Sequence, residues 1–329
     1  MTAAMAAAVF CSPGARAAGT TSGDFLSVGA GARPAALGEA YAGLADDGYA
    51  SAYNPAGLAG LRRQEASFAY NRYLEGVAQQ ELRYALPTAN RGTFALSATS
   101  LQVSPFAGYD ADDQPASKVS AQDLAVGAQY ALSFGPLMLG AGGKFLDSRL
   151  ADARARGMAW DTGALYQPNK SVRLGAAAAN FGQGLKFDRE SFPLPRVLRL
   201  GASGRLDLIG KSYLLLTAQA SLPNDRSPYP AAGLEFCRED LFALRAGYTG
   251  RMDAGQGWSV GGGLKLIHDG RSWYSASTYP SSMPDVEVDY AFIPMAALGG
   301  THRIGLVLRF GPDKGPPDKD PEVFYYQAL

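Results

Sequence analysis

Residues Leu124–Gly143 read LAVGAQYALSFGPLMLGAGG, twenty positions without a charge. That is long enough to cross a bilayer as one helix. The internal order argues otherwise. Leu124, Val126, Ala128, Tyr130, Leu132 and Phe134 alternate with Ala125, Gly127, Gln129, Ala131 and Ser133. A period of two is the signature of a strand, where successive side chains point to opposite faces. Gly135-Pro136 then breaks the run, and Leu137, Leu139, Ala141 and Phe145 resume the alternation. Two antiparallel strands joined by a tight turn account for the stretch better than a helix.

The same pattern recurs on both sides. Leu198, Leu200, Ala202, Leu206 and Leu208 alternate with Arg199, Gly201, Ser203, Arg205 and Asp207. Trp258, Val260, Leu264 and Leu266 alternate with Ser259, Gly261, Gly263 and Lys265, and His302, Ile304, Leu306, Leu308 and Phe310 with Arg303, Gly305, Val307 and Arg309. A membrane barrel needs this arrangement, apolar outward and polar or small inward. A soluble sandwich gives it too, with the apolar face inward. Strand count and loop lengths separate the two. Fourteen segments are expected: 63–73, 76–86, 92–103, 119–134, 136–148, 157–167, 171–182, 196–208, 211–222, 230–238, 240–250, 257–267, one ending near 292, and 301–310. Short connections at Pro87–Arg91, Gly135, Pro168–Lys170, Ile209–Gly210 and Glu239 alternate with longer ones at 104–118, 150–156, 183–195, 223–229 and 251–256. Bacterial outer-membrane barrels have short periplasmic turns and long outer loops. The fold expected is therefore an all-β membrane protein: a 14-stranded antiparallel transmembrane β-barrel over 62–310 with a short helical N-terminal plug. It belongs in the bacterial outer membrane, with both termini periplasmic. His268–Asp285 fits badly: either the thirteenth strand starts near Ser272 and is interrupted, or a long insertion replaces a turn.

Composition agrees. Charged residues are 18% of the chain and glycine 40 of 329, low and high against the usual ~25% and ~7%. Thirty Lys and Arg against thirty Asp and Glu leave no basic excess, which argues against nucleic acid as a partner. Two cysteines exclude a disulfide scaffold and a cysteine-rich zinc site.

Residues 1–18, MTAAMAAAVFCSPGARAA, read as a signal peptide: an apolar run to Phe10 and a small-residue cleavage site at Ala15-Arg16-Ala17. Residues 19–61 are not strand-like. Pro34 opens a helical pattern with Leu37, Tyr41 and Leu44 at i, i+4 and i+7, closed by Asp46-Asp47-Gly48; Asn54-Pro55 then leads into a second short helix. This segment is expected to plug the lumen, because fourteen strands enclose more space than wall side chains fill; a periplasmic cap is the alternative. Arg33 and Glu39 are expected to pair with wall charges, Leu37, Tyr41 and Leu44 to line an apolar pocket, and Asn54 and Pro55 to fix the turn of this gating segment. In the loop 183–195, Leu185, Phe187, Phe192 and Leu194 are candidates for an outer contact or a greasy entry site. The tail 311–329 is Pro-rich and charged, therefore extended and periplasmic; its Val323–Tyr326 end suits a periplasmic partner.

No catalytic residue, cofactor or metal is expected. His268 and His302 are the only histidines, and no His/Asp/Glu cluster has ligand spacing. Asp110, Asp112 and Asp113 lack the full calcium-loop pattern. Gly261-Gly262-Gly263 opens no helix and is no phosphate loop.

Two stretches carry a family resemblance. Phe25-Leu26, Gly29–Arg33, Leu37-Gly38-Glu39-Ala40, Ala45-Asp46-Asp47 and Asn54-Pro55-Ala56-Gly57-Leu58 resemble the opening of the PorV/PorQ family of outer-membrane proteins; Val288–Phe292 and Leu298–Ile304 resemble its close. The resemblance implies a barrel related to FadL, fourteen strands with an N-terminal hatch. It implies one of two non-enzymatic functions. One is passage of hydrophobic small molecules across the outer membrane, with sideways release. The other is binding of secreted proteins as an accessory of type IX-like secretion or a surface-assembly scaffold. Outer-membrane lipid is the expected surrounding in either case. The chain departs from the family in its long tail and in the insertion before Val286.

Overall fold

The computed structural model describes residues 20–311 apart from 74–75, 89–90, 110–113, 188–189, 211, 239–240, 252–254, 269–270, 273–274, 279–283 and 297–298. The expected signal peptide, the acidic trio Asp110, Asp112 and Asp113, and the tail beyond Gly311 with Val323–Tyr326 lie outside these residues.

Eighteen strands follow the N-terminal segment: β1 Gln64–Arg72, β2 Val77–Pro87, β3 Thr93–Tyr109, β4 Pro115–Phe134, β5 Leu137–Leu150, β6 Ala153–Tyr166, β7 Val172–Gly182, β8 Leu185–Phe187, β9 Glu190–Phe192, β10 Val197–Asp207, β11 Ser212–Pro223, β12 Tyr229–Arg238, β13 Phe242–Thr249, β14 Trp258–His268, β15 Arg271–Ser272, β16 Ser275–Thr278, β17 Asp285–Pro294 and β18 Gly300–Phe310. Fourteen form the wall, each paired antiparallel with its neighbours. β1 meets β18 and β13 meets β14, so the sheet closes with no free edge. β8 and β9 make a separate hairpin, and β15 and β16 ride on the end of β14. The insertion before Val286 is therefore an excursion between two wall strands, and the thirteenth wall strand starts at Asp285.

Alternation sets the two faces. On β2, Glu81 and Arg83 are buried while Leu82 is 58% exposed; on β10, Ser203 is buried while Leu200 is 57% exposed. Exposed leucines at these positions suit lipid and not water. Exposed Phe94, Phe134 and Tyr166 lie at one rim, and Tyr248 and Trp258 at the other, the two aromatic girdles of a membrane barrel.

The rims differ. One carries the connections 88–92, 135–136, 167–171, 208–211 and 239–241, the longer excursion between β14 and β17, and both ends of the wall; we call it the turn rim. The other, the loop rim, carries the 183–196 and 250–257 connections and a tall hairpin. Beyond Val103, β3 pairs only with β4, so these two strands rise past their other neighbours. Strands β3 and β4 are longer than alternation suggested, because the stretches 104–109 and 115–118 continue the hairpin instead of forming loop.

Residues 20–61 depart more from expectation. The helix over Pro34–Leu44 is only one turn, Ala32–Ala36. Gly38 and Glu39 take positive φ of 66° and 64°, which ends the helix. A Cβ on Gly38 would lie 2.6 Å from the Tyr248 backbone oxygen, so wall contact, not periodicity, sets this path. Ala50–Tyr53 forms a second helical turn and Pro55–Gly60 a 3₁₀ helix, capped by the Asn54 side chain accepting from the Ala56 N–H at 3.2 Å.

Candidate functional site

The N-terminal segment meets the inward wall along a belt of small residues. Gly140 of β5, Gly163 of β6, Gly175 of β7, Gly201 of β10, Gly233 of β12 and Gly247 of β13 each face a backbone or side-chain atom of residues 37–56 so closely that a Cβ would clash; at Gly247 it would sit 2.1 Å from the Gly38 nitrogen. Several are cross-strand partners, Gly140 with Gly163, Gly175 with Gly201 and Gly233 with Gly247. The belt lets an irregular chain lie against the sheet at backbone distance.

Irregular backbone held against a wall leaves N–H and C=O groups without secondary-structure partners. Wall side chains supply them. Gln219 Oε1 accepts from the N–H groups of Tyr41 and Ala42 at 3.1 and 2.8 Å; Thr217 and Ser203 donate to the carbonyls of Ala40 and Gly43 at 2.5 and 3.0 Å; Arg173 donates to the Leu44 carbonyl at 3.0 Å. Asn54 reaches the other way, donating to the carbonyls of Ala42 and of Ala164 on β6.

Charge adds a second tie. Arg33 places Nε and Nη2 on the two oxygens of Glu235 at 2.8 and 3.0 Å, a bidentate pair. Its Nη1 donates to Asp46 at 2.6 Å, Tyr41 at 2.9 Å and Asp47 at 3.3 Å. Glu235 also accepts from Arg245 at 2.6 Å; Arg245 binds Asp289 and lies 3.5 Å from Glu287; Arg309 joins Glu287 at 2.7 Å to Glu65 at 2.9 Å. Glu65 in turn accepts from the Gly48 N–H of the segment. The network thus leaves the segment at Arg33, crosses β12, β13, β17, β18 and β1, and returns at Gly48. Glu39 faces Arg303 at 3.8 Å, and Arg303 donates to the Gly29 carbonyl at 2.6 Å. Burial, with Glu65 and Asp46 nearby, pushes the Asp47 carboxyl up to about 7. At Asp46 burial acts the same way but Arg33 and Arg173 outweigh it, so its carboxyl is held below the usual range.

Leu37, Tyr41 and Leu44, expected to line an apolar pocket, are packing residues. They are fully buried in one cluster with Tyr49, Tyr53, Leu215 and Val307; Leu44 also borders a cavity of about 110 Å³ together with Arg33, Asp46 and Arg173. Leu185 and Leu194 of the 183–195 connection are also buried, against Phe25, Leu146, Ala155 and Ala159; Phe187 packs on that cluster, and Phe192 is 41% exposed. The β8–β9 hairpin lies over the start of the segment, with Ser22 donating from its N–H to the Pro193 carbonyl and from its hydroxyl to the Phe192 carbonyl. Glu235, Arg245, Gln219 and Thr217 escaped sequence reasoning. Their one signal was a polar side chain at an inward position of a strand.

Two of the cavities among the described residues lie on opposite sides of the segment and share no lining residue. The loop-side chamber, about 80 Å³, is bounded by Phe25, Leu26, Tyr53, Arg83, Lys144 and Arg199. The turn-side chamber, about 380 Å³, is bounded by Arg33, Glu65, Glu235, Arg245 and Arg309. Among the described residues no group of three or more His, Cys, Asp or Glu could hold a metal.

Neither a family model nor a curated protein matches the chain by sequence. Solved structures do match by fold. The Ralstonia pickettii toluene transporter TbuX aligns with a TM-score of 0.54 at 14% identity, over 86% of this chain and 99% of its own. A TodX monoaromatic hydrocarbon channel, as a deletion mutant, aligns with 0.57 at 12%, over 87% and 99%. A Pseudomonas aeruginosa FadL homologue aligns with 0.50 at 13%, over 85% and 98%. The closed fourteen-strand wall, the short helices ahead of it and these alignments give this chain the fold of the FadL-type β-barrels.

Proposed function

We propose that this barrel is a non-enzymatic conduit for hydrophobic or amphipathic small molecules across the bacterial outer membrane, with residues 20–61 as the hatch that controls passage. The observation that carries this reading is the pair of separate chambers with the segment between them. A filled waist between two openings is what a gated passage needs. Fourteen strands with nothing inside would leave an open space, since about eight already suffice for a side-chain-filled barrel. The matched structures named as a toluene transporter and a monoaromatic hydrocarbon channel support hydrophobic cargo.

The hatch is held by tie points that can part. It meets the wall through hydrogen bonds, ion pairs and glycine contacts as well as apolar packing, with no covalent link among the described residues. The PorV/PorQ assignment, and with it a protein-binding role in secretion, rests on the sequence resemblance in 25–58 and 288–304. A periplasmic partner for Val323–Tyr326 rests on that tail's aromatic composition.

Removing residues 20–61 from a chain that still assembles in planar bilayers is expected to raise conductance and the flux of small solutes well above the intact protein. Equal conductance of the two would refute the gate.

A further inference from the structure

The loop-rim end of the β5–β6 hairpin gathers three arginines on the outer face of the wall. Leu146 of β5 and Ala155 and Ala159 of β6 are buried on the lumen side, so Asp147, Arg149, Arg154 and Arg156, at the alternate positions, face outward. Register brings them together: Asp147 lies opposite Arg156, and Arg149 opposite Arg154. Arg154 grips the Asp147 carboxylate through Nε at 2.7 Å and through Nη2. Arg149 and Arg156 approach the same carboxylate only to 3.9 and 3.8 Å. Asp152, in the turn between the strands, takes part in none of these pairs. Three permanent guanidinium charges thus share one carboxylate, and their side chains stay 40–56% exposed. Height decides what they meet. Arg156 and Tyr166 are ten residues apart on β6, which at ~3.3 Å each and a tilt of ~40° is about 25 Å of height. The apolar band of an outer-membrane barrel is about 25 Å tall, and Tyr166 marks its turn-rim edge. The arginines therefore stand where hydrocarbon gives way to headgroups. Below them the outward side chains are apolar and exposed, Phe145, Met158 and Trp160. The lipid face there is grooved, with Ala141, Gly143, Ala178, Trp160 and Phe181 in the lining.

We propose that the outer face of the β5–β6 tip is a docking site for a doubly phosphorylated glycolipid of the outer leaflet, its phosphates on Arg149, Arg154 and Arg156 and one acyl chain in the groove beneath. The site is independent of what the lumen passes. Long elements of outer-membrane barrels point outward, which puts this rim in the outer leaflet, where the lipid is a phosphorylated glycolipid. Charge selects the headgroup. Guanidinium forks match phosphate oxygens bidentately, and three cations against one carboxylate leave an excess of two for two phosphates. A zwitterionic headgroup would bring its own ammonium against the arginines. Depth selects a lipid over a dissolved anion. Water and salt screen an exposed arginine, so a free phosphate gains little there. A lipid is already held at this depth by its chains, so its headgroup meets the arginines at high effective concentration. Asp147 holds the three side chains together and so positions them for the headgroup.

Native mass spectrometry of the full-length protein tests this. The protein is released into mild detergent from nanodiscs of phosphatidylcholine doped with bisphosphorylated lipid A, with monophosphorylated lipid A, or with cardiolipin. The wild type is expected to carry a bisphosphorylated lipid A molecule through release and to retain the monophosphorylated form several-fold less. Each surface arginine favours anionic lipid by about fivefold, so the Arg149→Gln/Arg156→Gln protein is expected to retain about 25-fold less. Arg72→Gln, which removes a charge at the loop-rim end of β1, is expected to retain as much as the wild type. Inorganic phosphate in large excess is expected not to displace the lipid. Retention of bisphosphorylated lipid A no better than phosphatidylcholine would overturn the proposal without any variant being made. So would an Arg149→Gln/Arg156→Gln protein, shown folded by heat-modifiable electrophoretic mobility, that retains the lipid as the wild type does. An equal loss in Arg72→Gln would reduce the site to diffuse surface charge, and displacement by phosphate would make it a free-anion site. Preferential retention of cardiolipin, whose two phosphates belong to a lipid of the inner leaflet, would overturn it as well.

Discussion

Asp47 shows how one buried group links the hatch to pH. Its Oδ2 accepts from the Tyr41 hydroxyl at 2.6 Å and its Oδ1 from the Tyr49 N–H at 2.9 Å. Burial raises its carboxyl to about 7 in the folded protein, against an ordinary 3.8 in the unfolded chain. Between those values the folded state binds the extra proton, so this group's contribution to stability is full below the unfolded value and is lost as pH rises toward 7. Asp46, with its lowered carboxyl, acts in the opposite sense and only at more acid pH. The expected result is that the urea midpoint of reconstituted wild-type protein falls, relative to Asp47→Asn, between pH 4.5 and pH 7.5. A difference between the two proteins that does not vary with pH would show that Asp47 ionises normally. Asp47 was legible in the sequence only as part of the Asp46-Asp47-Gly48 helix stop. Its chemistry comes from Glu65, Arg33 and Tyr41, brought around it by a path that periodicity did not describe.

Strands were the most legible elements, because lipid on one side and the lumen on the other force alternation at every position. The wall pairs found here follow from it, with the largest differences at the tops of β3, β4 and β6, where loop residues continue the ladder. On β10 the same logic gives a graded expectation. Leu200→Arg, outward in mid-strand, is expected to cost roughly 2–4 kcal/mol of stability in lipid, and Leu208→Arg, beyond the strand's end at the turn rim, about 0–1. Urea titrations in the same vesicles read both, and equal losses would mean that β10 does not span as assigned. The glycine belt was not legible. Each inward glycine reads alone as an ordinary small lumen residue, and only the closed sheet lines up Gly175 with Gly201 and Gly233 with Gly247. Arg33 was conspicuous as a charge, but its partner Glu235 is 202 positions away, a separation that no local pattern encodes. The belt carries its own test. Gly247→Leu puts a side chain where the Gly38 nitrogen now lies, while its strand neighbours keep their pairing. It is expected to dislodge the hatch and raise single-channel conductance in a barrel that still assembles. Unchanged conductance, with the folded state shown by heat-modifiable mobility, would mean the hatch does not depend on that contact.

At the scale of the whole molecule the unequal rims orient the barrel. An even number of wall strands places Gln64 and Phe310 together at the turn rim, so a single measurement orients both ends. The rims are physically unequal. A tilted spanning strand needs about 9–11 residues, which matches β1, β2, β7 and β10, whereas β3 and β4 have 17 and 20. The excess of about 6–9 residues, at ~3.3 Å each and tilted, raises the hairpin on the order of 15–20 Å beyond its neighbours at the loop rim. Barrels of the bacterial outer membrane keep short turns on the periplasmic side and extend their long elements outward. The hairpin should therefore stand outside the cell and the turns inside. Gln114, exposed near the top of the hairpin, and Ile209, 99% exposed in the β10–β11 turn, are suitable reporters. In a background with Cys11 and Cys237 changed to serine, Gln114→Cys is expected to react with a membrane-impermeant maleimide on intact cells. Ile209→Cys is expected to react only after the outer membrane is permeabilised. The reverse pattern would turn the barrel over. The loop-side chamber would then face the periplasm, and the charged turn-side chamber would be the first surface that an incoming molecule meets.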